Sequence, residues 1–450
     1  MVLLNYMIED EIVNGFWFLP QNPNSHFHGQ LTFGPSSFPR LALIANKDTN
    51  LSDFPFNVED YVIWGLGENG IAITLLGCNR LDASGNGFGF QTSIFNAQRI
   101  IIGDHINSED ELLFDSVEFS LENLEEWVNI QGFNVNVSSH DSYQISYERP
   151  KDLFFHINDQ VTGNLCFRNN TPFSRNPIIR LSQENYFELK FNGQLSLKDV
   201  IENVWRMRQF ITLMMFEETK IKWINVIKDN KKLKIFYKQS SKEDIVESDR
   251  LYLISLRVLG QRFELAIKKW FEIVKDLDPV IAILHSNIGK SQGFYQNDFL
   301  NMVQAVEAFD RRQLQDTQQL QAANEPRLNR ILQCIEDQND KKWLSERLTF
   351  SYEPNLRTRL TKLCVLHKEI LFMDSVSKNQ LKPMIMHIVE TRNYYTHFDP
   401  SLEKKKKVST VINQTFFLKM LLTYCILDQI GLDSEYLMPS VYHRYRIRLR

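Results

Sequence analysis

The sequence NQLKPMIMHIVETRNYYTH, residues 379–397, decides the fold of the C-terminal half of the chain. Asn379 is a good helix N-cap, and Pro383 then falls in the first turn, where a helix does not need the missing N–H. Pro400 disfavours helical backbone at the residue before it, so this helix should end close to His397. Its apolar residues recur at helical spacing: Leu381, Met384, Ile385 and Ile388. The stretch therefore predicts one long amphipathic helix of a bundle.

The last turns of this helix carry the hexapeptide Arg392-Asn393-Tyr394-Tyr395-Thr396-His397. Arg392 falls about 40° from Ile388 on the apolar side, so its guanidinium should reach into the bundle or a subunit interface and meet a phosphate or carboxylate. Asn393 and His397 are four residues apart and share a face. Arg392 and His397 are about 140° and about 7.5 Å apart on an ideal helix. One phosphate could meet both only if the last turn unwinds or if two copies of the helix meet across a twofold axis.

An Arg and a His are the minimal pair for cutting RNA without a metal. The imidazole can take the proton of a ribose 2′-hydroxyl while the guanidinium stabilises the charge that builds on the phosphate. The alternative is structural: Arg392 pairs with a buried acid such as Glu307, and His397 only caps the helix.

Length and composition set the class of protein. With 450 residues, of which 43% are hydrophobic, the chain should be soluble and globular with more than one domain. We expect a cytoplasmic protein without a membrane span, because no apolar run approaches about 20 residues and no secretory signal precedes the first domain. Five scattered cysteines predict reduced, mostly buried thiols rather than structural zinc: Cys78, Cys166, Cys334, Cys364 and Cys425.

The net charge of −4 is distributed unevenly. Residues 1–190 contain 10 Lys and Arg against 24 Asp and Glu, a formal charge of −14, whereas the rest of the chain carries +10. Affinity for a polyanion should therefore belong to the half that contains the hexapeptide.

Up to about residue 193 the sequence predicts a β-rich domain with a sandwich or barrel fold, because short apolar runs are separated by turn residues. The candidate strands cover residues 15–19, 27–33, 40–45, 61–65, 71–76, 87–94, 116–121 and 141–147.

From residue 194 the pattern changes to a helical period. Ser196 and Asp199 can cap a helix of about five turns, and two short strands are predicted at 222–227 and 233–237. Further helices are predicted near 261–275, 279–287, 294–313, 326–338, 356–373, 380–397 and 409–430, with loops at 314–325 and 399–408. We expect three parts: a β-rich domain over 1–193, a mixed connection over 194–290 and an all-α bundle over 291–450.

Two N-terminal motifs have ordinary explanations. Gly65-Leu-Gly67-Glu-Asn-Gly70 matches a dinucleotide-binding pattern, but Ile71 to Leu75 reads as a returning strand, which favours a hairpin. His26 and His28 share one strand face, and without a third ligand they are expected to be surface histidines. No metal or other cofactor is predicted.

Two basic runs belong to the C-terminal half. Lys404, Lys405, Lys406 and Lys407 lie within ten residues of His397, and Arg444, Arg446, Arg448 and Arg450 lie at the end of the sequence. Each run could contact phosphate, or could be a solvated loop and a disordered tail.

The Arg-Asn-x-x-x-His motif late in a helical domain resembles the HEPN superfamily of ribonucleases. The layout of the whole chain resembles the ApeA-type group of bacterial proteins, in which a β-rich domain precedes a HEPN domain. Five segments are similar to that group: Phe16 to Pro20, Gly29 to Leu31, Ile73 to Cys78, Trp270 to Glu272, and Phe299 to Arg312.

The resemblance implies a bundle of four or five helices that dimerises, so that the motifs form a composite, metal-independent endoribonuclease site. Arg392 would bind the phosphate, His397 would act as acid or base, and Asn393 would orient the scissile group. Tyr394, Tyr395 and Lys404 to Lys407 are further candidates for RNA contact. The products implied are a 2′,3′-cyclic phosphate, or its opened form, and a 5′-hydroxyl.

Family members serve in antiphage defence and cut host or phage RNA, often tRNA. The resemblance implies a phage-derived trigger and a sensing role for the β-rich domain. Two other functions stay open: a non-catalytic HEPN dimerisation or interaction protein, and a β-domain carbohydrate or peptide binder with a helical oligomerisation tail.

Overall fold

The computed structural model describes residues 10–45, 54, 60–68, 70–86, 90–108, 112–139, 142–170, 181–239, 252–288, 294–313, 317–372 and 378–437. Contacts divide the chain into two compact units, residues 1–211 with 219–250 and residues 212–218 with 251–450. The first unit is rich in β-strands and the second is helical, so the predicted α+β architecture is confirmed. The predicted three-part division stays a prediction.

The described residues of the first unit form fifteen strands. They are β1 (Glu11–Leu19), β2 (Asn22–Gly34), β3 (Ser37–Ala45), β4 (Tyr61–Gly67), β5 (Ala72–Asn86), β6 (Phe90–Asn96), β7 (Arg99–Ile102), β8 (Leu113–Leu121), β9 (Phe133–Ser139), β10 (Ser142–Tyr147), β11 (Leu153–His156), β12 (Val161–Asn170), β13 (Ser182–Ser196), β14 (Ile221–Lys228) and β15 (Lys231–Tyr237). The same unit contains the helix α1 (Leu124–Val128) and most of α2 (Leu197–Met215).

Six of the strands close into a barrel in the order β1-β2-β3-β6-β5-β4, because β4 also pairs with β1. All pairs are antiparallel. The predicted hairpin at the glycine motif is confirmed, since β4 and β5 pair through Leu66 and Ala72 and Gly70 has a φ of 69°. Trp17 is fully buried, and a Cβ on Gly65 would lie 2.4 Å from its ring. Glycine at 65 is therefore required by packing.

The long strand β5 also belongs to an open sheet. Its first half pairs with β7, and the sheet continues in the order β15, β14, β8, β13, β12 and β11. β9 and β10 form a separate hairpin. The two strands predicted at 222–227 and 233–237 are confirmed as β14 and β15.

The helix α2 begins with the predicted cap. The backbone N–H of Asp199 donates to Ser196 Oγ at 3.2 Å, and Ser196 Oγ donates to the Asp199 carboxylate at 2.7 Å. This reciprocal pairing satisfies a free N–H of the first turn.

The second unit consists of helices. They are α3 (Leu256–Leu259), α4 (Phe263–Asn287), α5 (Tyr295–Gln313), α6 (Thr317–Gln333), α7 (Gln338–Arg347), α8 (Leu356–Leu366), α9 (Lys368–Phe372), α10 (Lys378–His397), α11 (Val408–Gln429) and α12 (Ser434–Leu437), with 3-10 turns at Gly260–Arg262 and Pro400–Lys406. The helices α4, α5, α8, α10 and α11 pack against one another and form the bundle.

Several boundaries predicted from prolines and turn residues are wrong. The helices predicted at 261–275 and 279–287 are one helix, α4, with Pro279 inside it. Residues buried on both sides of Pro279 hold the helix together despite the lost hydrogen bond. The loop predicted at 314–325 lies largely in α6. The helix predicted at 326–338 ends earlier, because Asp337 caps α7 by accepting hydrogen bonds from two backbone N–H groups. The described part of α10 already includes Lys378, so Asn379 lies inside the helix and is not its N-cap.

The central helix of the bundle is α11. By length and composition this helix could cross a membrane, whereas the sequence analysis expected no apolar run of that length. Its most apolar window is 72% buried inside the protein, against α5, α4 and α8. Burial of this kind is typical of the core helix of a bundle.

The buried histidine His367 predicts a pH dependence of folding. Burial lowers the pKa of its imidazole, and the nearby Asp428 carboxylate opposes this shift. In the unfolded chain the pKa of the imidazole is near 6.5. As the pH falls, the unfolded chain therefore binds a proton at this histidine before the folded chain does. We expect the free energy of unfolding of the helical unit to decrease below about pH 6.5, and less so in His367→Gln. Urea unfolding at pH 7.5 and 5.5 measures this difference; equal pH slopes in the two proteins would contradict it.

Candidate functional site

The C-terminal turns of α10 carry the hexapeptide, and α10 ends at His397 as predicted. Buried side chains form a stripe along this helix: Leu381, Ile385, Ile388, Thr391 and Tyr395. Arg392 lies on the same side of the helix but is only half-buried. Its aliphatic stem can therefore pack on the stripe while the guanidinium reaches the surface.

The guanidinium of Arg392 donates to Asn393 Oδ1 at 3.2 Å. Among the described residues Arg392 forms no ion pair with Glu307 or another carboxylate, so the alternative pairing is not observed there. The neutral amide of Asn393 orients the guanidinium without neutralising its charge, which leaves the cation available to an anion.

His397 is exposed and lies two residues before Asp399. The backbone N–H of Ser401 donates to Asp399 Oδ1 at 2.9 Å, which caps the 3-10 turn Pro400–Lys406. Hydrogen bonds from Ser401 hold the pKa of the Asp399 carboxyl below its usual range, and the nearby imidazole of His397 adds to this effect. A carboxylate therefore lies near the imidazole at neutral pH, and the two groups interact through their charges.

The two tyrosines of the motif have different environments. Tyr395 is only 5% exposed, packs edge-on to Phe299, and its hydroxyl interacts with Tyr295 in the first turn of α5. Burial raises the pKa of Tyr395. Its contacts fix the end of α10 on the bundle, while Tyr394 is half-buried and faces outward.

Phe398 belongs to the same surface, although the sequence reading did not single it out. Its φ of 51° is left-handed, and its N–H donates to the Tyr394 carbonyl at 2.6 Å, which ends the helix. Glycine or asparagine is usual in this conformation. The Phe398 ring is 66% exposed and lies 6.0 Å from the ring of Tyr394. The sequence contained one signal for Phe398: a bulky apolar residue stands directly after the histidine, where the helix was predicted to end.

The lysine run follows this surface. Lys404 and Lys407 are exposed, whereas the side chains of Lys405 and Lys406 lie outside the described residues. The arginines predicted as a basic tail, Arg444, Arg446, Arg448 and Arg450, also lie outside the described residues.

Potential metal ligands do not cluster in the part of the chain that the structure describes, where no group of three or more His, Cys, Asp and Glu side chains could hold an ion. His26 and His28 lie exposed on β2, and each packs against the ring of Phe16. These aromatic contacts account for the two side chains without a ligand.

Two protein-family models match this chain, one after the other along the sequence. Residues 12–270 match the family model of ApeA N-terminal domain 1, and residues 300–436 match the ApeA-like HEPN model. No curated protein and no solved structure gave a significant match. The first match alone covers more than half of the chain, and the hexapeptide lies within the second. The protein therefore belongs to the ApeA family, with an ApeA N-terminal domain followed by an ApeA-like HEPN domain.

Proposed function

We propose that the protein is a metal-independent endoribonuclease of antiphage defence, with its active site at the end of α10. One observation carries the proposal. The half-buried side chain of Arg392 donates a hydrogen bond to the Asn393 amide and forms no ion pair with a described carboxylate. His397 follows on the next turn of the helix. A cation held in this way suits a phosphate, and an imidazole beside it suits proton transfer.

The reaction we propose is an attack of the ribose 2′-oxygen on the adjacent phosphorus. The 2′-hydroxyl proton goes to a base, the bond between phosphorus and the 5′-oxygen breaks, and the 5′-oxygen receives a proton from an acid. The products are a 2′,3′-cyclic phosphate and a 5′-hydroxyl. His397 serves as the base or the acid, and Arg392 stabilises the negative charge on the phosphate oxygens.

Two copies of the chain would complete this site. On a helix, Arg392 and His397 lie about 140° apart, so one α10 directs them poorly at a single phosphate. A twofold axis through the end of α10 would place two arginines and two histidines in one cleft, with one imidazole as base and the other as acid. The proposed partners are a second copy of the chain and RNA, with tRNA as one candidate.

The remaining parts take supporting roles in this proposal. Lys404 and Lys407 contribute positive charge next to the site, whereas the acidic β-rich unit is a sensing module that restrains the nuclease until a phage-derived trigger acts. Tyr395 positions α10 through its contacts with α5 rather than touching RNA.

The direct test is incubation of the purified protein with total cellular RNA in EDTA, followed by mapping of the new ends. We expect fragments with 2′,3′-cyclic phosphate and 5′-hydroxyl ends from the wild-type protein, and at least 100-fold fewer from His397→Ala in the same time. Identical fragments from both proteins would remove His397 from the site. A protein that binds RNA and dimerises but cuts no RNA, with or without lysate of infected cells, would favour the alternative of a non-catalytic HEPN interaction protein.

Phe398 is expected to stack on an unpaired base next to the scissile phosphate. The substitution Phe398→Gly should weaken binding of a single-stranded, uncleavable 2′-O-methyl RNA about tenfold, since stacking on an aromatic ring contributes roughly 1–3 kcal/mol per base. The melting temperature should stay the same or rise, because glycine adopts a left-handed conformation without strain. Fluorescence anisotropy and thermal melting measure the two effects.

The matched control is Phe350→Ala, because Phe350 is exposed to the same degree, at 68%, and lies outside the proposed site. It should leave RNA affinity unchanged. A change of oligomeric state in Phe398→Gly, with unchanged RNA affinity, would instead assign Phe398 to a contact between copies of the chain.

A further inference from the structure

The segment between α5 and α8 contains α6 and α7 and forms a helical arm, residues 317–355. No side chain among residues 319–355 is buried. The two helices pack chiefly on each other rather than on the bundle. Isolated helices shorter than about 12–15 residues are only marginally stable in water, and α7 has 10 residues. The arm therefore lacks the burial that usually stabilises helices of this length.

Hydrogen bonds nevertheless hold the helical arm in a defined conformation. Asn324 Nδ2 donates to Ser351 Oγ at 2.8 Å, which joins α6 to the turn after α7. The buried Arg359 of α8 donates through Nε to the Pro354 carbonyl at 2.9 Å, which fixes the end of the arm to the bundle. The side chain of Asp337 caps α7. The arm thus presents a fixed surface to a partner.

The outer face of α7 carries Asp340, Trp343 and Arg347, which are three and four residues apart and so lie on one side of the helix. Trp343 is 59% exposed, the most exposed of the 7 tryptophans. The guanidinium of Arg347 lies 5.9 Å from the centroid of its ring. Tryptophan and arginine are among the residues that most often carry the binding energy of a protein interface. This face is therefore suited to contact another protein chain.

The charges on this face are not used within the described chain. Among the described residues, Asp340 takes part in no ion pair, and Arg347 interacts with the Trp343 ring instead of a carboxylate. The face does not favour a polyanion such as RNA, because acids outnumber bases over residues 336–347. The acids are Glu336, Asp337, Asp340 and Glu346, and the bases are Lys341, Lys342 and Arg347.

The order of the charges along α7 is complementary to itself. Asp340 and Arg347 lie equally far from the midpoint of residues 343 and 344, about 5 Å on either side along an ideal helix. When two copies of α7 pack antiparallel about a twofold axis at this midpoint, each Arg347 lies opposite the partner's Asp340. The two Trp343 side chains then lie side by side at the axis. In the same register Glu346 lies opposite the partner's Lys341, so no two like charges of α7 oppose each other.

We propose that α7 is a contact between two copies of the chain, in which the outer faces of two α7 helices pack antiparallel. A second copy fits this face because the charge order of the face is complementary to itself. The contact is separate from the pairing proposed at the end of α10 and does not rest on it. A chain with both twofold contacts would assemble beyond a dimer, into a closed tetramer or a longer series of dimers.

Sedimentation velocity of the full chain tests this contact. An interface one short helix long is small, so we expect association that increases with concentration over about 1–200 µM. Trp343→Ala should weaken the association about tenfold or more, because the side chain at the axis is lost. Its melting temperature at low concentration should equal that of the wild type, since Trp343 is exposed.

Two charge reversals and their mixture test the register. Asp340→Arg and Arg347→Asp each place like charges opposite each other, so each variant alone should associate about tenfold more weakly than the wild type. An equimolar mixture of the two variants should associate as the wild type does, because every pair in the mixed contact again has opposite charges. Asp278→Arg makes the same charge change on an exposed residue of α4, and should associate as the wild type does.

Three results would each overturn the proposal. They are a wild-type protein that stays a monomer at every concentration, a charge reversal that associates as well as the wild type, and a mixture that associates no better than its two components. The assay measures no RNA cleavage, so it tests the α7 contact independently of the proposed nuclease.

Discussion

The His397→Ala variant is expected to cleave RNA about 100- to 10,000-fold more slowly than the wild-type protein, the usual contribution of a general acid or base. Its fold should be intact, because the imidazole is exposed and makes no core contact. Single-turnover cleavage of a labelled RNA, together with a thermal melt of each variant, measures both quantities. Added imidazole should restore part of the lost rate, since a diffusible base can occupy the space of the missing side chain.

The matched control is Thr396→Ala. Thr396 is exposed, lies next to His397 and hydrogen-bonds to the Arg392 carbonyl through its hydroxyl at 2.8 Å. Removing that hydroxyl disturbs the same turn without removing a proton donor or acceptor of the site, so its rate should stay within about threefold of the wild type. If Thr396→Ala and His397→Ala lost the same cleavage rate and imidazole restored neither, this turn would be needed only for structure.

Breaking the buried ion pair between α5 and α8 should have the largest effect on stability. Arg359 and Asp310 are 2% and 0% exposed, and Arg359 Nη1 donates to Asp310 Oδ2 at 2.7 Å. Removing Arg359 takes away the closest partner of the buried Asp310 carboxylate, which keeps a longer contact with Lys362 Nζ at 3.4 Å. Removing one partner of a buried pair costs about 3–5 kcal/mol. This is a large share of the roughly 5–15 kcal/mol by which a domain is stable. Urea unfolding of Arg359→Met, followed by circular dichroism at 222 nm, measures the loss.

A neighbouring ion pair supplies the control. Arg311 also pairs with a carboxylate, that of Glu353, but its side chain is 61% exposed. Exposed pairs contribute about 0–1 kcal/mol, so Arg311→Met should unfold at nearly the wild-type urea concentration. The double variant Arg359→Met with Asp310→Leu should be more stable than Arg359→Met alone, because it also removes the buried carboxylate. If both single arginine variants lost the same stability, burial would not be the cause.

Local signals predicted the parts of the structure that depend on neighbouring residues. Pro400 located the end of α10, the Ser196 and Asp199 pair located the start of α2, and the strand after the glycine motif identified a hairpin. Each of these features depends on residues within about four positions, so the local sequence is enough to predict it. The family resemblance then supplied the order of the two units, which the two family models confirm.

Features that depend on distant residues could not be predicted in this way. Pro279 was read as a helix boundary because packing on both of its sides is visible only in the folded bundle. Among the described side chains of α6 none is fully buried, so no apolar stripe indicated this helix. Phe398 was overlooked because its exposure depends on a positive φ, which the sequence does not show.

The sharing of β5 between the barrel and the open sheet has a consequence for cooperativity. The first half of β5 pairs with both β4 and β7, so displacing it from the barrel also removes one partner of β7, and detaching β7 exposes the edge of β5. The two parts are therefore expected to melt together, as one folding unit with a single transition.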